Sequence, residues 1–167
     1  MFSIGVITDQ VSMDFEQALR FIQELGIEYI EIHALWNKNI EELSDQDVEK
    51  ACSLVKKYGM KVSLISSTLF LQCHPEENGE EFGPIDDYFI TIAGSYNSHI
   101  TALKRCIELC GVFETNKIRT FGFIKEKEFD ERTAVQKVAE KLRDSVKMVE
   151  DAGITLVLEN CPHTYLT

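Results

Sequence analysis

Glu159 stands at the carboxyl end of an apolar run, where a catalytic carboxylate is commonly placed. The run 154–158 is continuous and apolar, as expected for a parallel strand that is covered on both faces. Because side chains alternate along a strand, Glu159 shares a face with Thr155 and Val157. A hard carboxylate at this point suits a divalent cation or a proton-transfer step. We therefore expect Glu159 to be a site residue, either as a catalytic proton-transfer group or as a metal ligand, and the alternative is a surface position without a role.

A second polar set lies at the end of an earlier strand pattern. Alternation places Tyr29, Glu31 and His33 on one face and Ile30 and Ile32 on the other. An ionised glutamate on the inner face needs a partner, water or a cation. We predict that His33 is catalytic and that Glu31 binds substrate. The alternative is that both side chains lie just beyond the strand and are solvated.

Three further polar residues are candidates for substrate binding. Asn160 follows Glu159 directly, and Ser66 lies at the end of the third predicted strand. His163 lies four residues after Glu159, and the alternative for it is a mobile terminal segment. The sequence has no glycine-rich phosphate loop, Cys-x-x-Cys pair or nucleophile elbow, so a serine or cysteine nucleophile has no support.

The elements that position these residues alternate regularly. Four helix-patterned runs are each followed by an apolar strand-like run, and a glycine separates helix from strand at Gly26, Gly59, Gly111 and Gly153. With the first strand at 2–8, the predicted order is β-α-β-α-β-α-β-α-β. This order indicates parallel strands joined by right-handed crossovers, so all strands end on one face of the sheet.

A long irregular stretch, 68–98, separates the third predicted strand from the third helix. Loops of this length are uncommon in compact domains and are usually lids or binding loops. This loop leaves a strand at its carboxyl end and so lies over the predicted site. Its aromatic residues Phe70, Tyr88, Phe89 and Tyr96 could pack it down or cover a ligand.

Composition narrows the class of protein. The 167 residues fit one domain, 1–167, and the net charge of −11 disfavours nucleic acid and anionic membranes as partners. No basic or long apolar segment precedes the first strand, and five scattered cysteines suit a reducing compartment. We expect a cytoplasmic protein.

Three segments resemble the xylose isomerase-like TIM barrels, the family of sugar phosphate isomerases and epimerases. They are GIEYIEIH at 26–33, ALKRCIELCGVFETNKIRTFGF at 102–123 and LVLENCPHTY at 156–165. The resemblance implies that Glu159 is the first of four ligands to one divalent metal ion, Mn²⁺, Mg²⁺, Co²⁺ or Zn²⁺. It also implies a small carbohydrate substrate and proton transfer next to a carbonyl through an enediolate. The later ligands, an aspartate, a histidine and a glutamate, would follow Glu159 and are absent from this chain.

A complete barrel of this kind has about 250 residues and eight strands. We therefore expect a partial (β/α)8 TIM barrel with five parallel strands and four helices, a fragment that is inactive alone. Its open edges favour a homo-oligomer. Two alternatives remain: a metal-dependent dehydratase on the same barrel, or a non-catalytic binding module with an open, flavodoxin-like sheet. The open sheet would have helices on both faces and a reversal of strand order.

Overall fold

The computed structural model describes residues 2–75, 89–125, 130–162 and 164–166. Two short 3-10 turns lie at Thr8–Gln10 and Ile40–Glu42. The strands and helices follow the chain in the order β1 (Gly5–Ile7), α1 (Phe15–Glu24), β2 (Tyr29–Ile32), β3 (Ala34–Leu35), β4 (Lys38–Asn39), α2 (Asp45–Lys57), β5 (Lys61–Leu69), α3 (Tyr96–Val112), β6 (Lys117–Thr120), α4 (Glu131–Glu150) and β7 (Thr155–Leu158).

Five of the strands form one parallel sheet in the order β1-β2-β5-β6-β7. The spatial order is the chain order, and it does not reverse. Successive right-handed crossovers that advance in one direction place their helices on one face of the sheet. The expected partial barrel with five parallel strands is confirmed, and the open sheet with reversed order is not observed.

The main core lies between the helices and one face of the sheet. Ile30, Ile32, Ile65 and Ile118 are fully buried and belong to one apolar cluster with side chains of all four helices. Alternation then assigns the other face of the sheet to the residues between them. The polar candidates of β2, Glu31 and His33, lie on that second face, which we call the polar face of the sheet.

Three of the four described helices begin at a side-chain cap. Ser44 caps α2 by accepting a hydrogen bond from the Asp47 N–H at 3.2 Å, and Asp14 and Asp130 cap α1 and α4 in the same way. Helical spacing in the sequence predicts that Leu25, Val135 and Val146 belong to apolar helix faces packed on the sheet, but all three are exposed. Among the described residues, no helix is long and apolar enough to cross a membrane.

Three of the four predicted glycine positions are confirmed. Gly26, Gly59 and Gly153 have φ values of 71°, 66° and 70° after their helices. The prediction for Gly111 is wrong, because it lies inside α3. Glu114 takes the left-handed conformation after that helix, with φ 55°.

A short hairpin, β3-β4, was not predicted. Its turn residues Trp36 and Asn37 have φ values of 53° and 60°, the pattern of a type I′ turn. Such turns usually contain glycine, so the sequence carries little signal for this one. The Trp36 ring packs edge-on against Phe15 at 6.0 Å.

The loop predicted at 68–98 is shorter than expected at both ends. β5 continues through Leu69, and α3 begins at Tyr96. Phe70 and Tyr96 are buried and stack at 5.7 Å between ring centroids, so both pack into the core. Residues 76–88, including Tyr88, lie outside the described residues, and a lid over 68–98 stays a prediction.

Candidate functional site

Two consecutive serines near the carboxyl end of β5 connect the polar side chains of the site. Ser66 and Ser67 are both buried. Because neighbouring residues of a strand point to opposite faces, their hydroxyl groups reach different partners. Ser66 contacts the polar face of the sheet, and Ser67 contacts the helix side.

Glu31 lies on the polar face beside Ser66. The Ser66 hydroxyl donates a hydrogen bond to Glu31 Oε2 at 2.5 Å. Glu31 is partly buried between β1 and β5, its two neighbours in the sheet. The structure therefore brings together two of the predicted substrate-binding residues, and Glu31 is not simply solvated beyond the strand.

Glu41 occupies the helix side of the same strand end. Its Oε1 accepts hydrogen bonds from the Ser67 hydroxyl and from the Cys106 thiol, the latter at 3.7 Å. Burial of this carboxyl group raises its pKa, and the Ser67 hydrogen bond only partly offsets that effect. Glu41 was not predicted as a site residue.

Arg119, on β6, extends across the polar face towards both neighbouring strands. Its Nη2 and Nε donate to the main-chain oxygens of Ser66 and Ser67 at 2.7 and 3.0 Å. Its Nη1 donates to Glu159 Oε2 at 3.2 Å. Only 6% of Arg119 is exposed, so these three acceptors replace the water that the guanidinium loses on burial.

Glu159 follows β7 and is held at one oxygen. Its main-chain N–H donates to the Thr120 oxygen at 2.9 Å, which continues the ladder between β6 and β7. Its side chain is 49% exposed and pairs with Arg119. Asn160 is exposed next to it, and no described hydrogen bond joins its side chain to the site. His163 lies outside the described residues.

His33 follows β2 and pairs with Asp9, which follows β1. His33 Nδ1 lies 2.9 Å from Asp9 Oδ2, and the two side chains are 2% and 8% exposed. Burial alone would raise the pKa of Asp9, but the hydrogen bond and the charge of His33 outweigh it and hold that pKa below its usual value. The Ala34 N–H also donates to Asp9 Oδ1 at 3.4 Å.

The other side of His33 contacts the segment before α3. His33 Nε2 lies 2.8 Å from the Ile90 main-chain oxygen, and the ring stacks on Phe89 at 4.8 Å between centroids. Both ring nitrogens thus face oxygen acceptors, and both contacts are hydrogen bonds when the ring carries two protons. His33 joins the ends of β1 and β2 to residues 89–90, and its catalytic role stays a prediction.

Two other sequence interpretations can be compared with the structure. The position of His99 at the start of the third predicted helix indicates a surface or capping residue, but the structure shows otherwise. His99 is fully buried, its Nδ1 accepts from the Phe70 N–H at 3.0 Å, and burial lowers its pKa to about 4. Cys106 and Cys110 are spaced as a pair of metal ligands on one helix could be, but the apolar stripe around them in the sequence favours packing as small hydrophobic residues. The structure confirms the packing, since both are buried in the apolar cluster. Burial raises the pKa of both thiols, to about 11 for Cys110.

A divalent metal ion needs more ligands than this part of the chain offers. Within the described ranges, no three His, Cys, Asp or Glu side chains lie together as a ligand set. Oε2 of Glu159 is held by Arg119 and no described hydrogen bond reaches Oε1, so Oε1 is open either to a metal ion or to a substrate proton. The described residues alone therefore do not form a metal centre.

The sequence pattern located the strand ends but missed two of the charged groups there. Arg119 lies within the strand pattern KIRTFGF, where a cation on the inner face was the available signal. Glu41 belongs to a 3-10 turn, a region in which periodicity carries no information. The contact between Arg119 and Glu159 is not local, since 40 residues separate the two side chains in the sequence.

Comparison with solved structures gives the same fold repeatedly. The IOLI protein with a bound zinc atom matches at TM-score 0.72 and 15% identity, over 99% of this chain and 54% of that one. The probable 3-DHS dehydratase AsbF from Bacillus anthracis matches at 0.67 and 20%, over 98% and 54%. D-psicose 3-epimerase, solved in the presence of D-fructose, matches at 0.66 and 14%, over 99% and 54%. The chain thus spans about half the length of these structures.

Family comparison extends over most of the chain. No curated protein matches it. The family model described as "Xylose isomerase-like TIM barrel" matches residues 19–167. This chain therefore belongs to the xylose isomerase-like TIM barrel family.

Proposed function

We propose that this chain is part of a metal-dependent isomerase or epimerase of a small sugar or sugar derivative. The observation that carries the proposal is the polar face of the sheet, where Glu31 with Ser66 and Arg119 with Glu159 lie at neighbouring strand ends. Similar folds are known for a D-psicose 3-epimerase and an L-ribulose 3-epimerase.

The polar face suits a polyhydroxylated substrate. Carboxylate oxygens accept hydrogen bonds from sugar hydroxyl groups, and a serine hydroxyl can donate or accept. Glu31 and Ser66 are assigned to this binding role, with Asn160 and His163 as further candidates at the end of β7. His33, paired with Asp9, is assigned to the wall of the site, where its ring contacts residues 89–90.

Glu159 is assigned to the proton-transfer step. Its Oε1 would remove the proton from the carbon next to the substrate carbonyl, and the reaction would be completed either by a second acid that protonates the opposite face of that carbon or by Oε1 returning the proton to the neighbouring carbon. The first outcome is epimerisation and the second is aldose–ketose isomerisation, both through an enediolate. A divalent ion, when bound, would polarise the carbonyl, and the additional ligands would come from polypeptide that completes the barrel.

The proposal is tested with the protein encoded by the complete gene. Ketoses and aldoses are incubated in D2O with Mn²⁺, Mg²⁺, Co²⁺ or Zn²⁺, and ¹H NMR follows loss of the proton next to the carbonyl together with product formation. Glu159→Gln should lower turnover at least about 100-fold, since a general base contributes about 10²–10⁴-fold. Glu49→Gln, on the exposed face of α2, is the matched control.

Two results would change the assignment. An unsaturated product formed by loss of water would favour the dehydratase, the reaction named for the similar Bacillus anthracis structure. Full activity in Glu159→Gln would contradict the role given to that carboxylate.

A further inference from the structure

Arg119 is the charged group on the polar face that links the end of β5 to Glu159 after β7. Its guanidinium contacts three oxygens in two different strands: Ser66 O, Ser67 O and Glu159 Oε2. The Phe121 ring covers it, with 5.1 Å between the guanidinium carbon and the ring centroid. A planar group with fixed donor directions is thereby held on several sides.

Two of these contacts are to main-chain oxygens of a central strand. β5 pairs with β2 as far as Ile65 and with β6 at Ile65 and Leu69, and the register of the β5–β6 ladder shifts between these two residues. Ser66 and Ser67 lie in that interval and are fully buried, and the Arg119 guanidinium donates to their carbonyl oxygens there. These two contacts fix the guanidinium to the sheet independently of Glu159. The third contact, from Nη1 to Glu159 Oε2, restrains the orientation of the Glu159 carboxylate.

The two carboxylate oxygens of Glu159 therefore have different hydrogen-bonding environments. Oε2 accepts from Arg119, whereas no hydrogen bond from the described residues reaches Oε1. The side chain is 49% exposed, so without the ion pair it would sample several rotamers. A single restrained rotamer leaves one defined oxygen for chemistry.

We infer that Arg119 is a positioning residue that holds the Glu159 carboxylate in one orientation and leaves Oε1 as its reactive oxygen. The inference rests on the proposed function for the role of Glu159, but the contact itself can be tested separately. A group that orients a catalytic carboxylate without touching substrate affects kcat more than KM. Loss of such a supporting contact typically lowers activity about 10- to 100-fold.

The first experiment measures kinetics of Arg119→Gln and Arg119→Lys in the complete protein. We expect kcat to fall about 10- to 100-fold in both, with KM changed by less than about 3-fold. Lysine keeps the charge but cannot donate in three fixed directions, so full rescue by Arg119→Lys would overturn the inference. Arg143→Gln, on the exposed surface of α4, is the control and should leave kcat unchanged.

The second experiment separates positioning from support of the fold. Urea midpoints of the wild type, Arg119→Gln, Glu159→Gln and the double variant form a thermodynamic cycle. We expect the two substitutions to be coupled: Arg119→Gln should shift the urea midpoint less in the Glu159→Gln background than in the wild type. An equal shift in both backgrounds, together with unchanged kcat, would mean that Arg119 only supports β5 and would overturn the inference.

The two proposals fail in different ways. A wild-type protein that converts no sugar contradicts the proposed function, and the urea cycle then still decides whether Arg119 restrains Glu159. An active wild type with unaffected Arg119 variants contradicts only the positioning role.

Discussion

Arg119 brings a full positive charge to a position that is 6% exposed. Such a burial is costly unless the charge is paired and its donors are satisfied. Here one carboxylate supplies the opposite charge, and two carbonyl oxygens take donors on the other side. The arrangement satisfies the guanidinium while Glu159 keeps one oxygen available.

The Asp9–His33 pair gives the first testable prediction. Asp9→Asn removes the charge from a pair whose side chains are 8% and 2% exposed. We expect a loss of about 1–3 kcal/mol in the free energy of unfolding at pH 7, measured by urea titration. Asp144→Asn, at an exposed position of α4, should change it by less than about 0.5 kcal/mol.

The same pair predicts a pH dependence. The pKa of Asp9 is lower in the folded protein than in the unfolded chain, so its stabilising contribution is complete above the unfolded value of about 3.9. The contribution is lost as pH falls through the lower, folded pKa. Acid unfolding followed by circular dichroism should therefore be less steep in Asp9→Asn than in the wild type. Parallel curves for the two proteins would contradict this.

At the scale of residues, sequence reasoning depended on alternation. It placed Glu31 on the polar face of β2 and the isoleucines in the core, as the structure shows. It could not identify Asp9 as the partner of His33, because 24 residues separate them and the pairing depends on the register of β1 on β2. His99 was misjudged because its position near the start of α3 suggested exposure, whereas its ring packs on Phe70.

At the scale of elements, Gly111 and Gly59 provide a matched pair of substitutions. Gly111 lies inside α3, and a Cβ there would meet no atom within 4 Å, so Gly111→Ala should stabilise the protein by about 0.5–1 kcal/mol. A Cβ at Gly59 also has open space, but φ is +66°, so Gly59→Ala should destabilise it by about 1–2 kcal/mol. Thermal unfolding of both variants gives the comparison. Destabilisation by Gly111→Ala would indicate that α3 ends earlier than the structure shows.

The elements themselves were largely predictable, but their ends were not. All five sheet strands occur where the sequence pattern indicates them. The expectation that the strand at 154–158 is covered on both faces is wrong, since three of the four residues of β7 are exposed at the edge of the sheet. β5 extends two residues beyond its predicted end, through Thr68 and Leu69. The β3-β4 hairpin was missed because Trp36 and Asn37 adopt positive φ values without the glycine that usually marks this turn.

At the scale of the whole molecule, the sheet has two open edges among the described residues. β1 pairs only with β2, and β7 pairs only with β6. Val157 and Leu158 are large apolar residues of β7 that are 37% and 45% exposed. Unpaired strand edges with exposed apolar side chains promote association.

We therefore expect the 167-residue chain to form a dimer or a larger assembly, not a 19.1 kDa monomer, in light scattering after size-exclusion chromatography. Val157→Lys should shift the population towards the monomer, since a charged lysine at an edge disfavours edge pairing. Val135→Lys, at a 51% exposed position of α4, should leave the assembly unchanged. A compact wild-type monomer would contradict the expectation.

Ser66 and Ser67 hold Arg119 through carbonyl oxygens but reach Glu31 and Glu41 through hydroxyl groups. Amino-acid replacement alters a hydroxyl group and leaves the carbonyl in place. During evolution, position 66 can therefore change the group that it presents on the polar face, while the arginine keeps its two carbonyl contacts. Descendants of one ancestral barrel could in this way acquire different ligand preferences without rebuilding the carboxylate at position 159.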